Sequence, residues 1–384
     1  MAGGQDMVSA GRIHLLNFSR RFAVTAVFFL APLHLHTLGF SGWQIGLAVF
    51  GFAAAPLVFS FPMGWINDRI SMGGVIRAAW GALVCLLALM SLAHTLLPMA
   101  ALYLGLGVAN NALDVSINSL YFKDDSKKDL NRKYGVYAFW GALGLAAGVL
   151  TGGVLMNIAD FRTFILVMAG SLAVASSACR RLGEEKFAAV PAAEYFKGLF
   201  RRKTLFFTLL LFVIALHWGA EGTVYSLFLK DHFGLGPLAL SLYISGALFL
   251  LSLAALFVGH IPYNPDVNRK LFLTGMVLSG SGHMLMILGD VRLSFFFRVV
   301  HEIGDGLMGA LVFLYIAGLF DRRSIGGGAG IILSVQTAGH MTGSLVFPAL
   351  GQHFGLPAVF LVSGALLLAN AVFGSFVFRN DRYD

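Results

Sequence analysis

The sequence predicts an all-α membrane protein of twelve transmembrane helices, arranged as two pseudo-symmetric bundles of six. Three observations predict it. Of 384 residues, 58% are hydrophobic and only 12% are charged, about half the charged share of a soluble domain. Such a chain cannot build a water-facing surface without large apolar patches, so lipid must be its main solvent. Secondly, 22–67, 78–113, 134–159, 232–265 and 324–378 contain no Asp, Glu, Lys or Arg. Thirdly, the two halves of the chain repeat each other. The same composition excludes disorder.

One crossing needs about 20 residues, so the longest charge-free intervals must fold back on themselves. Glycine-containing turns at 39–42 and 351–357 mark where. The spans read 19–38, 43–65, 74–96, 98–121, 134–157, 160–179, 204–230, 237–260, 270–289, 292–319, 326–351 and 356–378. The N-terminus begins with polar residues and Arg12, Arg20 and Arg21 before a long apolar stretch, and no small-residue cleavage site follows a short apolar core. It reads as an uncleaved helix rather than a signal peptide. Cys85 and Cys179 lie in apolar runs and imply neither a disulfide framework nor a zinc site.

Basic residues set the orientation. Of 27 Lys and Arg, 23 fall in the N-terminus, the C-terminus and the loops 69–77, 123–133, 180–203, 269–270 and 322–323. The opposite side holds Arg162, Lys230 and Arg292, and Arg298 is inside a span. Both termini are therefore expected in the cytoplasm, with the chain in a plasma (bacterial inner) membrane. The net charge of +8 follows from this topology and calls for no nucleic acid. The expected partners are the lipid bilayer and a small-molecule substrate, and the protein reads as a monomer.

A shift of 195 places Leu38-Gly39-Phe40 on Phe233-Gly234-Leu235. A shift of 198 places Phe122 on Phe320, Gly141 on Gly339 and Gly153 on Gly351. The duplication divides the chain into a bundle at 1–180, a linker at 181–203 and a second bundle at 204–384. Two matched bundles suit a carrier that rocks about a site between them. In the linker, 194–202 reads as an interfacial helix with aromatic residues in the headgroups.

After the second span comes Gly64-Trp65-Ile66-Asn67-Asp68-Arg69. With the twelve spans, this segment resembles the major facilitator superfamily over the whole chain. The family pattern is Gly, three residues, Asp, a cation, one residue, Gly, then two cations. Its second half departs here, with Ser71 for Gly, Met72 for a cation and Gly73-Gly74 late; Arg77 is a candidate replacement. Gly64 would let the second span approach the eleventh, and Asp68 would accept bonds from the N-terminus of that helix. With Arg69 and Arg77 these residues form a candidate latch for the outward-open state; a plain turn with a surface Asp-Arg pair is the alternative. The fifth span, Gly144-Leu145-Ala146-Ala147-Gly148-Val149-Leu150-Thr151-Gly152-Gly153, resembles the antiporter motif of drug exporters, which has Pro at the place of Val149. Tight helix packing explains the same small residues.

Ionisable groups at membrane depth are costly and point to function. They are Asp114 in span four, Glu221 in span seven, and Arg298, Glu302 and Asp305 in span ten. In the family, spans one, four, seven and ten line the central cavity, and spans three, six, nine and twelve face lipid. Helical spacing gives three stripes: His217, Glu221 and Tyr225; Arg298, His301 and Asp305; and Asn110, Asn111, Asp114 and Asn118. Glu221 and Asp305 are the candidate proton-coupling carboxylates, because a carboxyl group in a low-dielectric cavity is costly to ionise and can exchange a proton. His217 and His301 are candidate relays. Arg298 is expected to pair with Asp305 or Glu302. Asn110, Asp114, Asn118, Tyr137, Trp140, Tyr225, Gln336 and His340 complete the candidate substrate cavity. His283 reads as a packing residue, and His34 and His36 as interfacial. No cofactor is expected; the energy source is the proton gradient.

These residues lead to a proton-coupled secondary carrier of a small organic solute, with export favoured over import. A static salt-bridge network is the structural alternative. His217, Glu221, His301, Asp305 and His340 also have the donor types for a transition metal, which would make metal ions or chelates the cargo. His301-Glu302-Ile303-Gly304-Asp305 nearly matches H-E-x-x-H, the zinc signature of metalloproteases, but Asp stands for the second His. A transporter-like receptor without turnover is a further alternative.

Overall fold

The computed structural model describes residues 10–40, 42–123, 129–180, 182, 191–321 and 323–379. The expected interfacial His36, parts of three basic loops (Arg322 among them) and both extreme termini lie outside the described side chains. All regular elements among the described residues are helical. In order they are α1 (Ala10–Thr37), α2 (Gly42–Asn67), α3 (Met72–Met90), α4 (Leu96–Lys123), α5 (Leu130–Ile158), α6 (Phe161–Ala175), α7 (Ala192–Leu199), α8 (Arg202–Ala220), α9 (Ser226–Phe233), α10 (Pro237–His260), α11 (Pro265–Leu285), α12 (Val291–Leu319), α13 (Ile325–Phe354) and α14 (Leu356–Arg379). A single π-helical turn, Glu221–Tyr225, joins α8 to α9 without a break.

Among the described residues, ten helical stretches are long and apolar enough to cross a membrane, with Arg202–Phe233 counted as one. α11 and α13 are the long helices outside that set. α11 opens on Asp266, Asn268, Arg269 and Lys270, and α13 carries Gly326, Gly327, Gly328, Gln336 and His340. Their polar and small residues lower the hydropathy of helices that pack against other helices. Local caps set other boundaries. Asp160 accepts from the Thr163 amide before α6, and Asp290 accepts from the amides of Arg292 and Leu293 before α12. These bonds to the ionised form hold both carboxyls below the usual carboxylate range.

Two boundaries differ most from the sequence reading. α3 ends at Met90, where the Ser91 hydroxyl turns back onto the Ala88 carbonyl. α1 begins at Ala10, well before the expected start at 19. Arg20 and Arg21, whose charges the sequence reading counts with the N-terminus, therefore lie well inside the helix, and Arg20 is buried. Apolar counting cut the helix short because Arg12, His14 and Asn17 interrupt the apolar residues of its first turns.

The repeat is visible in the helix contacts. Gly39 and Gly234, 195 residues apart, both adopt positive φ (83° and 67°) at the ends of equivalent helices, a conformation that favours glycine. A Cβ on Gly144 or Gly148 would meet the carbonyl oxygens of Phe18 or Phe22 on α1 at 2.5 and 2.1 Å. On α13, Gly339 and Gly343 meet Phe212 and Leu216 of α8 in the same way, at 2.3 and 2.1 Å. These equivalents are also 195 apart, so Gly339 matches Gly144. The 198 register that placed it on Gly141 does not hold for this helix pair. The small residues of the fifth span thus serve close packing of α5 on α1.

The halves meet along two seams, α2 with α13 and α5 with α10. α5 and α10 touch near both ends, at Gly135–Gly259 and Gly153–Ser241.

Candidate functional site

A cavity of about 580 Å³ lies between the halves, within the range of small-molecule sites. Its walls come from α1, α2, α4 and α5 on one side and α8, the π turn, α10, α12 and α13 on the other. None of its lining residues comes from α3, α6, α11 or α14 among the described residues. Phe28, Phe29, Phe52, Phe122 and Phe313 supply much of the apolar surface.

The C-terminal wall carries most of the charge. Arg298 bonds to Glu221 across the gap between α8 and α12, and to Glu302 one turn along α12. Its guanidinium carbon sits 4.3 Å from the centre of the Tyr225 ring. Asp305 takes a different set of partners: Ser279 Oγ donates to Oδ1 at 2.6 Å, and His217 Nε2 lies 3.1 Å from Oδ2. The sequence reading offered Arg298 to Asp305 or Glu302. It missed the bond to Glu221, because stripes on two helices do not reveal which stripes face each other.

His301 stands between the two candidate coupling carboxylates. Its Nε2 is 2.9 Å from Glu221 Oε1 and 3.9 Å from Asp305 Oδ2. Its Nδ1 is 2.8 Å from the backbone oxygen of Ser279. A carbonyl only accepts, so Nδ1 carries a proton. The contact at Nε2 then needs one further proton, held either by the ring or by Glu221. The pair shares that single proton, and the next carboxylate oxygen is Asp305 Oδ2, 3.9 Å from the same nitrogen. The rings of His217 and His283 surround His301, with centroids at 5.5 and 4.6 Å. His283, read as a packing residue, has Ser363 Oγ 3.3 Å from its Nδ1.

Glu221 opens the π turn. Such turns insert one residue and rotate the helix beyond them, and they recur at functional sites. Here the turn brings Tyr225 under Arg298 and Gly222 beside His340. No apolar periodicity signals this insertion.

The N-terminal wall holds a smaller network. Arg20 of α1 ion-pairs with Asp114 and donates to Asn110 Oδ1 at 2.7 Å. Arg21 lies 4.0 Å from Asp114. Both arginines line the cavity, and the sequence reading counted their charges with the N-terminus. Asn118 also lines it and accepts from the Tyr137 hydroxyl at 2.5 Å. Gln336 and His340 line it from α13. Three expected site residues do not face the cavity. Tyr137 is buried behind Asn118, and His217 and His301 are buried behind the carboxylates. Trp140 is a fourth misplacement: it is 37% exposed and packs edge-on against Phe18. The cavity face of α5 is Ala138, Gly141, Ala142 and Leu145, so Trp140, two residues from Ala138, points about 200° away.

The α2–α13 seam closes the end of the bundle that carries the chain termini. Asp68 is fully buried. It accepts from the Gly327 amide at 2.8 Å and from the Tyr195 hydroxyl at 3.0 Å, and its Oδ1 is 2.6 Å from Lys123 Nζ. The cation here is Lys123 from the end of α4. Arg69 lies over the Trp65 ring at 3.7 Å, and Arg77 stands beside Gly73 on α3. Tyr195 is on α7, where aromatic residues were expected in the headgroups. Its burial, with the Asp68 carboxylate beside it, pushes the phenol up and keeps it a donor. A further tie between the halves is a reciprocal amide pair between Asn131 of α5 and Asn268 of α11, at 2.8 Å in each direction.

At Gly64 a Cβ would stand 2.2 Å from the Gly326 carbonyl oxygen. Gly64→Val is expected to force α2 from α13 and break the Gly327–Asp68 bond. In a background lacking Cys85 and Cys179, a cysteine at Ser334, beside Pro56 on the same seam, should then react at least about tenfold faster with a membrane-impermeant thiol reagent. The factor corresponds to about 1.4 kcal/mol in the opening equilibrium. Unchanged labelling would show that the seam does not depend on this contact.

The family model described as Major Facilitator Superfamily matches residues 13–264 and 207–384. Among solved structures, the human organic anion transporter MFSD10 (TETRAN) is similar at 14% identity and a TM-score of 0.80, covering 97% of this chain and 99% of that one. A POT family transporter in complex with a thioalcohol-conjugated peptide is similar at 12% identity and a TM-score of 0.76, covering 98% and 97%. No curated protein matches in sequence. At these identities the structures speak for the fold, whereas the family match spans the chain. The near-match to a protease signature has no support in the geometry, where Glu302 is tied to Arg298. The chain is an integral, multi-pass membrane protein and belongs to the major facilitator superfamily.

Proposed function

We propose that the protein is a proton-coupled secondary transporter that moves a small organic solute by alternating access. One observation carries the reading: Glu221 and Asp305 both face the cavity between the halves, and each is hydrogen-bonded to a histidine that can hold the exchanged proton. The carboxylates are not bare. Each already has a cationic or donor partner, so releasing or taking up a proton must accompany a change of partner. Arg298 supplies the switch. When Glu221 is protonated it has less hold on the guanidinium, which Glu302 then retains. The protonated and deprotonated clusters thereby differ in the strength with which α8 is held to α12.

The solute occupies a cavity with aromatic walls, an arginine pair on one side and a carboxylate cluster on the other. Rocking requires that the seams open in turn. The duplicated close contacts at Gly64–Gly326 and Gly135–Gly259 lie at the end expected to face the cytoplasm, so this conformation is closed there. The small-residue fifth helix and the Gly64–Asp68 segment resemble exporters and favour export from a bacterial cytoplasm.

The test uses proteoliposomes that trap a pH-sensitive dye, with a preset pH gradient and a panel of organic solutes. At least one solute should discharge the gradient only when the protein is present, and an opposed gradient should concentrate that solute. Solute movement that ignores the pH gradient would remove the coupling from this reading.

A further inference from the structure

His217 Nε2, His301 Nε2 and one carboxylate oxygen each of Glu221 and Asp305 all lie within 4.8 Å of one another. The observed separations include 2.9, 3.1 and 3.9 Å. Four donors around a tetrahedral cation at 2.0–2.1 Å stand about 3.4 Å apart, so shifts on the order of an ångström would complete the shell. The two imidazoles and two carboxylates suit a zinc-like ion rather than magnesium or calcium, which prefer all-oxygen shells. The surroundings also fit. Ser279 O fixes the His301 tautomer and so leaves Nε2 as the donor, and Ser279 Oγ holds Asp305. Such outer bonds orient metal ligands. The His217 ring is flanked by Trp218 and His283 at 5.8 and 5.9 Å.

Charge points the same way. The cluster sets three carboxylates, Glu221, Glu302 and Asp305, against one guanidinium, Arg298, which bonds to the first two. Once the proton shared by His301 and Glu221 is displaced and both imidazoles are neutral, the cluster is two negative charges in excess, which one divalent cation balances.

Cargo is the less suitable role for such an ion. All four donors belong to α8, its π turn and α12, in one half of the molecule. The two histidines are sealed from the cavity, at 1% and 0% exposure. An ion held there touches no ligand of the other half and is not passed on when the halves rock. It would instead occupy the place of the exchanged protons. We propose that His217, Glu221, His301 and Asp305 form an inhibitory site for a divalent transition-metal ion, which binds and arrests turnover without being carried. The inhibition rests on the proton-coupling reading; the binding does not.

Cobalt(II) added to the purified full-length protein in detergent should give the intense visible bands of tetrahedral cobalt, saturating at one equivalent, and zinc should bleach them. His217→Ala and His301→Ala should each weaken binding at least about tenfold, and Ser279→Ala about tenfold through Asp305. His340→Asn, on α13, should leave affinity within about threefold, an energy below 1 kcal/mol. Thermal melting without metal checks that each variant is folded, and His→Gln substitutions replace any that is not. Octahedral cobalt only, or binding that survives both histidine changes, would overturn the site. Zinc should also stop solute-driven discharge of the pH gradient. If zinc binds as described and turnover continues, the site stands and the inhibitory role fails. Zinc accumulating inside vesicles would make it cargo and overturn the proposal.

Discussion

Glu221→Gln and Asp305→Asn are each expected to reduce pH-gradient-driven solute movement to the level of empty vesicles, while exchange of labelled for unlabelled solute continues. An amide has the shape of the carboxyl group and neither takes up nor releases a proton. Gln at 221 still offers an oxygen to Arg298 and His301, and Asn at 305 still accepts from Ser279 Oγ. The packing around both sites is therefore kept. What is lost is the step in which the proton moves between Glu221 Oε1 and His301 Nε2, or on to Asp305, 3.9 Å from the same nitrogen. Gradient-driven accumulation that survives in both variants would reduce the cluster to a static brace. Loss of exchange together with accumulation would instead indicate a role in binding the solute.

Arg298→Met is expected to produce the largest loss of stability of any single substitution in the cavity. Arg298 is 3% exposed and bonds to two carboxylates at once. Its removal leaves Glu221 and Glu302 close together without a cation. Breaking one partner from a buried ion pair costs about 3–5 kcal/mol, which lowers the midpoint of thermal unfolding of a chain of 384 residues by about 5 °C. The measurement is a thermal scan in detergent at fixed rate, since unfolding of large proteins is often irreversible. Removing the surplus charge should reverse the effect: Arg298→Met combined with Glu221→Gln and Glu302→Gln should recover most of the loss, because the cost lies in the unpaired charges and not in the lost side chain. A single Arg298→Met variant as stable as the parent would show that water or protons already compensate the carboxylates.

Much of the molecule is legible in the sequence because lipid imposes a simple rule. Backbone groups in a bilayer must be satisfied within a helix, so length and apolarity suffice to locate most crossings. The rule also picks out Glu221, Arg298, Glu302 and Asp305, whose presence in apolar runs is expensive. It failed where polarity is answered by another helix. Arg20 was counted with the N-terminus because its partner Asp114 lies 94 residues away. Lys123 was read as loop, although it ends inside the α2–α13 seam beside Asp68.

The sequence by itself determined an all-helical membrane protein, its internal duplication, and which side chains are too costly to be in lipid without a purpose. These properties depend on composition and on spacing along one chain, where solvent preference and helical period act locally. Only the tertiary structure decided that His301 stands between Glu221 and Asp305, that Arg298 takes Glu221 and Glu302, and that Trp140 turns away from the cavity. Ion pairs and hydrogen bonds act over a few ångströms between helices distant in sequence, and neither hydropathy nor spacing records which faces meet.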